Sequence, residues 1–225
     1  VIWSSVRRLG GGAIITPAAP ASIDAFAREG IDANPGAETP TMICMFLARL
    51  TKRIDDVLAL TRGEASTAPM ERERIDLAGL CRMAVEAMQA RAAEKDQKVE
   101  VDLAPSAGFL FGDVRLLRES IEHVLDNAIA YTDRKGRIRV EASGDEEKAM
   151  IRITDNGIGI SKQDLPRVFE RFDRINEAGV RGEAALGLGL PLTRQFVEAH
   201  GGAVELESKK GKGTAVTLTI PRGTK

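Results

Sequence analysis

The run Thr154–Ile160, TDNGIGI, places one carboxylate and two glycines directly after the alternating segment AMIRI. The alternation predicts a half-buried strand, and Gly157 and Gly159 end it with residues that tolerate positive φ and close backbone approach. Asp155 then stands at a strand end, facing whatever the glycines admit. Taken alone the stretch also reads as a turn, because Asp-Asn-Gly is ordinary turn chemistry. Upstream, His123, Asn127 and Tyr131 recur at four-residue steps, so a helix would align them on one face, apart from Leu117, Ile121, Val124, Leu125 and Ala128. Downstream follow FERFDR, ALGLGLPL and GKGT, in that order. A single glycine motif is weak evidence; an ordered series after an Asn-bearing helix is a strong signal.

These residues need elements to hold them. LAGLCRMAVEAMQARAAEK reads as a helix by spacing and propensity, and KVEVDLA as a strand. GDVRLLRESIEHVLDNAIAYT is a helix with Asp113 as N-cap. GRIRVEASG and KAMIRITDNG form an antiparallel pair. LPLTRQFVEAHGG is a short helix with Pro191 near its start and glycines after its end. AVELESKKGKGTAVTLTIP closes as a hairpin, with Lys209, Lys210 and Lys212 at a solvated tip. Clustered helices and strands predict an α+β sandwich with helices on one face of a mixed sheet. Residues 70–76, MERERID, read as a charged connector. Before them, Ile43, Leu47, Leu50, Ile54 and Val57 make a heptad stripe over a helix at 39–62.

The chain has 225 residues, 43% hydrophobic and 29% charged, with net charge −1. That suits a soluble globular protein with no global field toward nucleic acid or anionic lipid. No apolar run approaches the ~20 residues of a membrane helix, which predicts no membrane contact. Cys44 and Cys81 fit no metal spacing and read as small reduced hydrophobes of a cytoplasmic protein. His123 and His200 are the only histidines.

The ordered motifs resemble the asparagine, first glycine, phenylalanine, second glycine and third glycine boxes of bacterial sensor histidine kinases. The likeness lies in the C-terminal ATP-binding domain, whose fold is shared with DNA gyrase, heat-shock chaperones and MutL repair proteins. It implies a helical-hairpin dimerisation domain at 1–69, followed by an ATP-binding domain at 70–225. In the latter, Asp155 would accept a hydrogen bond from the adenine amino group, with Gly157 and Gly159 letting the base approach. Asn127 would ligate Mg²⁺, Tyr131 would lie against the base, and Gly187 and Gly189 would present backbone N–H groups to phosphate. Arg174 would meet the terminal phosphate, and Thr214 belongs to the third glycine box. His123 takes a position where the family often has Asn or His, and is the one catalytic candidate in the domain. The implied cofactors are ATP and Mg²⁺; the implied partners are a second copy through the hairpin, a response regulator and another histidine kinase. A gyrase-type ATPase is disfavoured, because its Glu general base would fall at His123, four residues before Asn127.

The chain departs from the family pattern in three places. Ala130 stands where many relatives carry Lys, and Ala185-Leu186-Gly187 replaces Gly-small-Gly. Aligning Thr16-Pro17 with the family's Thr-Pro puts Gly12 at the phosphoacceptor position and Ala13 at the following acid. Glycine has no nucleophile, so autophosphorylation at the usual position is not expected. The pattern resembles atypical, DivL-like members that lack the acceptor His, although those carry Tyr there. The alternative is an active kinase whose acceptor His lies elsewhere or in another chain. The chain reads as a cytoplasmic fragment of a larger or membrane-associated protein.

Overall fold

The computed structural model describes residues 70–171 and 187–223. The expected hairpin over 1–69, its heptad stripe, Gly12, Cys44, Arg174, Ala185 and Leu186 lie outside the described residues.

Seven strands and three α-helices make up the described chain, the strands after the first arriving in pairs, one pair following each helix. They are β1 (Glu73–Asp76), α1 (Leu77–Glu94), β2 (Lys98–Leu103), β3 (Phe109–Gly112), α2 (Val114–Tyr131), β4 (Arg137–Gly144), β5 (Lys148–Asp155), α3 (Gly189–Ala199), β6 (Ala203–Lys209) and β7 (Gly213–Pro221). Five strands form one sheet in the order β2-β4-β5-β7-β6, and β1 and β3 make a separate two-stranded ribbon. β2 runs parallel to β4, whereas β4–β5, β5–β7 and β6–β7 are antiparallel, so the sheet is mixed as expected.

Period-two alternation decides which face is buried. Ile138, Val140 and Ala142 on β4, Ala149, Ile151 and Ile153 on β5, and Val216, Leu218 and Ile220 on β7 point into one core. Leu77, Leu80, Cys81 and Ala84 of α1, and Leu117, Ile121, Val124, Leu125 and Ile129 of α2, cover it, together with Val197 of α3. Burial pushes the Cys81 thiol up to about 12, as expected for an inert core hydrophobe. The opposite face carries ion pairs such as Arg139–Glu100 at 3.1 Å and Arg152–Glu207 at 2.7 Å.

Asp113 caps α2 as expected, its Oδ1 accepting from the N–H groups of Arg115 at 3.0 Å and Leu116 at 3.1 Å. The Asp113 N–H in turn donates to His200 Nε2 at 2.9 Å. His200 therefore carries its proton on Nδ1, which donates to the Phe196 carbonyl at 2.7 Å. This buried imidazole ties the end of α3 to the start of α2.

The reading of 70–76 as a connector is corrected at its end, where Glu73–Asp76 is a strand paired antiparallel with Phe109–Gly112. In β1 only Ile75 faces inward. A four-residue strand with one apolar residue among charges leaves no alternation to read.

Candidate nucleotide site

Asp155 is the last residue of β5 and shares the core face with Ile151 and Ile153. The carboxylate there is half-buried rather than enclosed. Its Oδ1 accepts from the N–H of Gly157 at 2.8 Å and of Thr214 at 3.3 Å. Both bonds fall on one oxygen, which leaves Oδ2 for a ligand. Burial is the strongest influence on its pKa and raises it, while the two N–H donors oppose the rise.

The first glycine box has a packing reason that the sequence did not show. A Cβ on Gly157 would strike the Tyr131 carbonyl, and one on Gly159 the Lys209 carbonyl. The Ile158 N–H donates to Tyr131 O at 3.1 Å, and the Gly211 N–H to Ile158 O at 2.6 Å. The turn after Asp155 is thus pressed between the end of α2 and the β6–β7 hairpin. Gly159, at φ 64°, and Gly213, at φ 91°, adopt backbone that L side chains resist. The side chains of Lys209, Lys210 and Lys212 are exposed as expected, and the backbone of the hairpin tip holds this turn.

α2 brings Asn127 and Tyr131 to the same end. The Asn127 amide is half-buried and makes no hydrogen bond within the described residues. Tyr131 is 39% exposed, so its ring has a face to offer. His123 differs from the expected stripe: it is only 8% exposed, and its Nε2 lies 3.9 Å from a Glu119 carboxylate oxygen. α3 packs over it. A Cβ on Gly189 would lie 3.5 Å from His123 Cβ and 3.7 Å from Asn127 Nδ2. The asparagine and second glycine boxes therefore meet at the start of α3, with Gly187 at φ 71° leading into it. The N-cap of α3, Leu188, supplies no side-chain acceptor to the first-turn N–H groups. A helix N-terminus in that state suits an anion.

Two site-building residues carry no motif. The Lys95 ammonium donates to the carbonyls of Ile129 at 2.7 Å, Ala130 at 2.8 Å and Thr132 at 3.3 Å. Gln97 Nε2 donates to Ile129 O at 3.1 Å and Thr132 O at 2.7 Å. Together they satisfy the last carbonyls of α2, beside Tyr131. Burial pushes the Lys95 pKa down, Arg91 adds to the effect, and Asp133 opposes it. Both residues are more than thirty positions from their partners, beyond the reach of any local pattern.

A mixed sheet backed by helices on one face, with a carboxylate at a strand end beside an Asn–Tyr helix terminus, is the architecture of the ATP-binding domains of the histidine kinase fold. A family model described as Histidine kinase-, DNA gyrase B-, and HSP90-like ATPase matches residues 112–224, half of the chain, and the chain belongs to that family. Within the family it is a histidine kinase ATPase domain. A mycobacterial sensor histidine kinase, MprB, is similar at 31% identity and TM-score 0.59, covering 67% of this chain and 97% of that structure. Circadian input-output histidine kinase CikA of Synechococcus elongatus is 29% identical over 78% of this chain and 24% of its own length. Sensor histidine kinase WalK of Bacillus subtilis is 29% identical over 77% of this chain and 28% of its own length. The chain thus spans about a quarter of those two relatives. Full-length ShkA in complex with AMPPNP shares the fold at TM-score 0.71 and 23% identity, over 87% of this chain and 41% of that one. No helix among the described residues is long and apolar enough to cross a membrane.

Proposed function

We propose that this chain is the dimerising and ATP-binding part of a two-component signalling protein, and that it acts on a response regulator by binding rather than by autophosphorylation at the usual position. The carrying observation is where the histidines sit. The chain has two, and both lie in the ATPase domain, with His123 8% and His200 7% exposed. Both ring nitrogens of His200 are engaged. A phosphoacceptor must reach the γ-phosphate in line, and a histidine buried within the nucleotide domain is badly placed for that. Gly12 at the aligned acceptor position adds to the case, and with it the DivL-like reading.

Asp155 Oδ2 accepts from the adenine amine in this reading, and Tyr131 offers its ring to the base. Gly187 and Gly189 start α3, whose N–H groups face phosphate, and Arg174 meets the terminal phosphate. The half-buried amide of Asn127 fits a hard cation, because Mg²⁺ takes few protein oxygens and completes its shell with water and phosphate. Asn127 would hold it, and the ion would neutralise phosphate charge when bound. Thr214 and Gly157 hold Asp155 in place through their N–H groups.

The hairpin at 1–69 pairs two copies into a four-helix bundle and presents the surface for a response regulator or a second histidine kinase. A cytoplasmic setting follows from those partners. The preserved Asp155 site favours a second reading, an active kinase that phosphorylates a His in another chain.

Incubation with Mg²⁺ and γ-labelled ATP tests the proposal. Calorimetry is expected to detect ATP binding, with no acid-labile label on the chain. Acid-labile label on this chain overturns the pseudokinase reading, and label on an added histidine-bearing dimerisation domain that lacks its own ATP-binding domain establishes the second one. Light scattering at tens of micromolar is expected to give a dimer, and a monomer refutes the bundle.

A further inference from the structure

The side chain of Ser208 is the hub of a small hydroxyl network beside Asp155. Its Oγ lies 2.8 Å from the Ile160 N–H, 2.9 Å from the Gly213 carbonyl and 2.9 Å from Thr214 Oγ1. A hydroxyl has one proton to give and two lone pairs to receive. The Ile160 N–H can only donate, so it fills one lone pair. The Gly213 carbonyl can only accept, so it takes the Ser208 proton. The contact with Thr214 then holds a hydrogen only if Thr214 donates into the second lone pair. Any other assignment leaves two oxygens 2.9 Å apart with no proton between them.

Thr214 is therefore committed to donating sideways, and its Oγ1 has only lone pairs left to show elsewhere. Thr214 pairs with Ser208 across β6–β7 and follows the same period-two face as Val216, Leu218 and Ile220. That is the face on which Asp155 ends β5, and the Thr214 N–H reaches Asp155 Oδ1 at 3.3 Å.

We propose that Ser208 is a specificity-determining positioning residue: by fixing the Thr214 hydroxyl as an acceptor, it makes the Asp155 end of the sheet a two-acceptor surface that selects adenine over guanine nucleotides. This rests on the adenine reading of Asp155. The exocyclic amine of adenine offers two N–H donors to such a surface. Guanine places a carbonyl oxygen at the same ring position, and that oxygen meets acceptors only. A site built to hydrogen-bond one group discriminates strongly against an analogue that leaves its polar atoms mispaired.

The test is calorimetric titration of the full chain with ATP and, separately, with GTP. The ratio of the two affinities cancels phosphate binding and any general loss of folded protein. In Ser208→Ala, the Thr214 hydroxyl is freed to turn, and the ATP-to-GTP ratio is expected to fall about five- to tenfold, the size of one net hydrogen bond. Thr214→Val removes the acceptor and is expected to lower the ratio similarly, while Thr214→Ser keeps it. In the Thr214→Val background, Ser208→Ala is expected to change the ratio no further. An unchanged ratio in Ser208→Ala overturns the proposal, as does a further fall in the double variant. If Ser208→Ala does not fold, Thr214→Val decides, and an unchanged ratio there overturns it. Failure of the unmutated chain to bind ATP, by contrast, removes the adenine reading itself.

Discussion

Replacing Lys95 by Met isolates how α2 is held at its site end. The aliphatic stem is kept, and only the ammonium that meets the carbonyls of Ile129, Ala130 and Thr132 is removed. Gln97 still donates to Ile129 and Thr132, so Ala130 is the one carbonyl of the three that loses its side-chain donor. A hydrogen bond from a charged donor contributes about 1.5–3 kcal/mol, and a stranded acceptor costs about 1–3 kcal/mol. Half-exposure of the last turn lets water recover part of that, and the expected loss is about 2 kcal/mol. Urea denaturation should show an earlier midpoint with an unchanged slope, since no core surface is lost. Lys95→Arg should recover part of the difference. The Tyr131 carbonyl is held separately by the Ile158 N–H, so Lys95→Met should weaken ATP binding less than it weakens folding. A change below about 0.5 kcal/mol would refute the capping account.

Asp155→Asn should cost about 1–3 kcal/mol of ATP affinity, because the retained Oδ1 bonds turn the new Nδ2 toward the adenine amine. The raised pKa of Asp155 gives two opposite pH trends. Ligand binding favours the carboxylate, so ATP affinity should fall as pH drops through the raised value, and calorimetry on Asp155→Asn should lack that component. The ionised form is the one disfavoured by folding, so this group should add stability to the ligand-free protein as pH falls through the same value toward its unfolded pKa; acid-range urea titrations of both proteins check the sign. Gly213→Ala forces a side chain to φ 91° against the Asp155 carbonyl and should cost about 3 kcal/mol. Gly211→Ala, at φ 73° with nothing within 4 Å, should cost only about 1 kcal/mol, and urea denaturation of both glycine variants checks the difference. Arg222→Ala removes donors to the carbonyls of Ser106, Ala107, Phe109 and Asp145 and should cost about 2 kcal/mol. The backbone bond from Phe111 N–H to Arg222 O should keep its hydrogen-exchange protection if the effect is local.

Elements whose signal is local were legible in the sequence. β4 and β5 alternate cleanly, and Asp113 announced the start of α2. The place of Asp155 at a strand end was legible because alternation stops there at a carboxylate followed by glycines. What escaped depends on the third dimension. β1 and β3 stabilise each other and carry too few residues for a period. His123 shares a helical stripe with Asn127 and Tyr131, yet α3 buries it, and nothing within α2 predicts that. Lys95, Gln97 and Ser208 look like solvated polar residues until distant carbonyls and hydroxyls arrive beside them. That Gly157 and Gly159 end a strand was legible, but their neighbours are backbone carbonyls of α2 and of the hairpin, which no single stretch reveals.

The order β2-β4-β5-β7-β6 has a consequence for synthesis. β7 is the last of the described strands to leave the ribosome, yet it lies inside the sheet, between β5 and β6. Until Gly213–Pro221 emerges, β5 keeps one edge open and β6 has no neighbour in the sheet. Asp155 also lacks the Thr214 N–H until then. From the emergence of β5 until that of β7 the nascent domain thus carries an unpaired apolar edge, the kind of surface that invites pairing with other chains. A stop codon before residue 213 removes an interior strand rather than trimming a border. Premature termination there should yield insoluble chains, whereas a stop after Gly223 leaves every described strand in place.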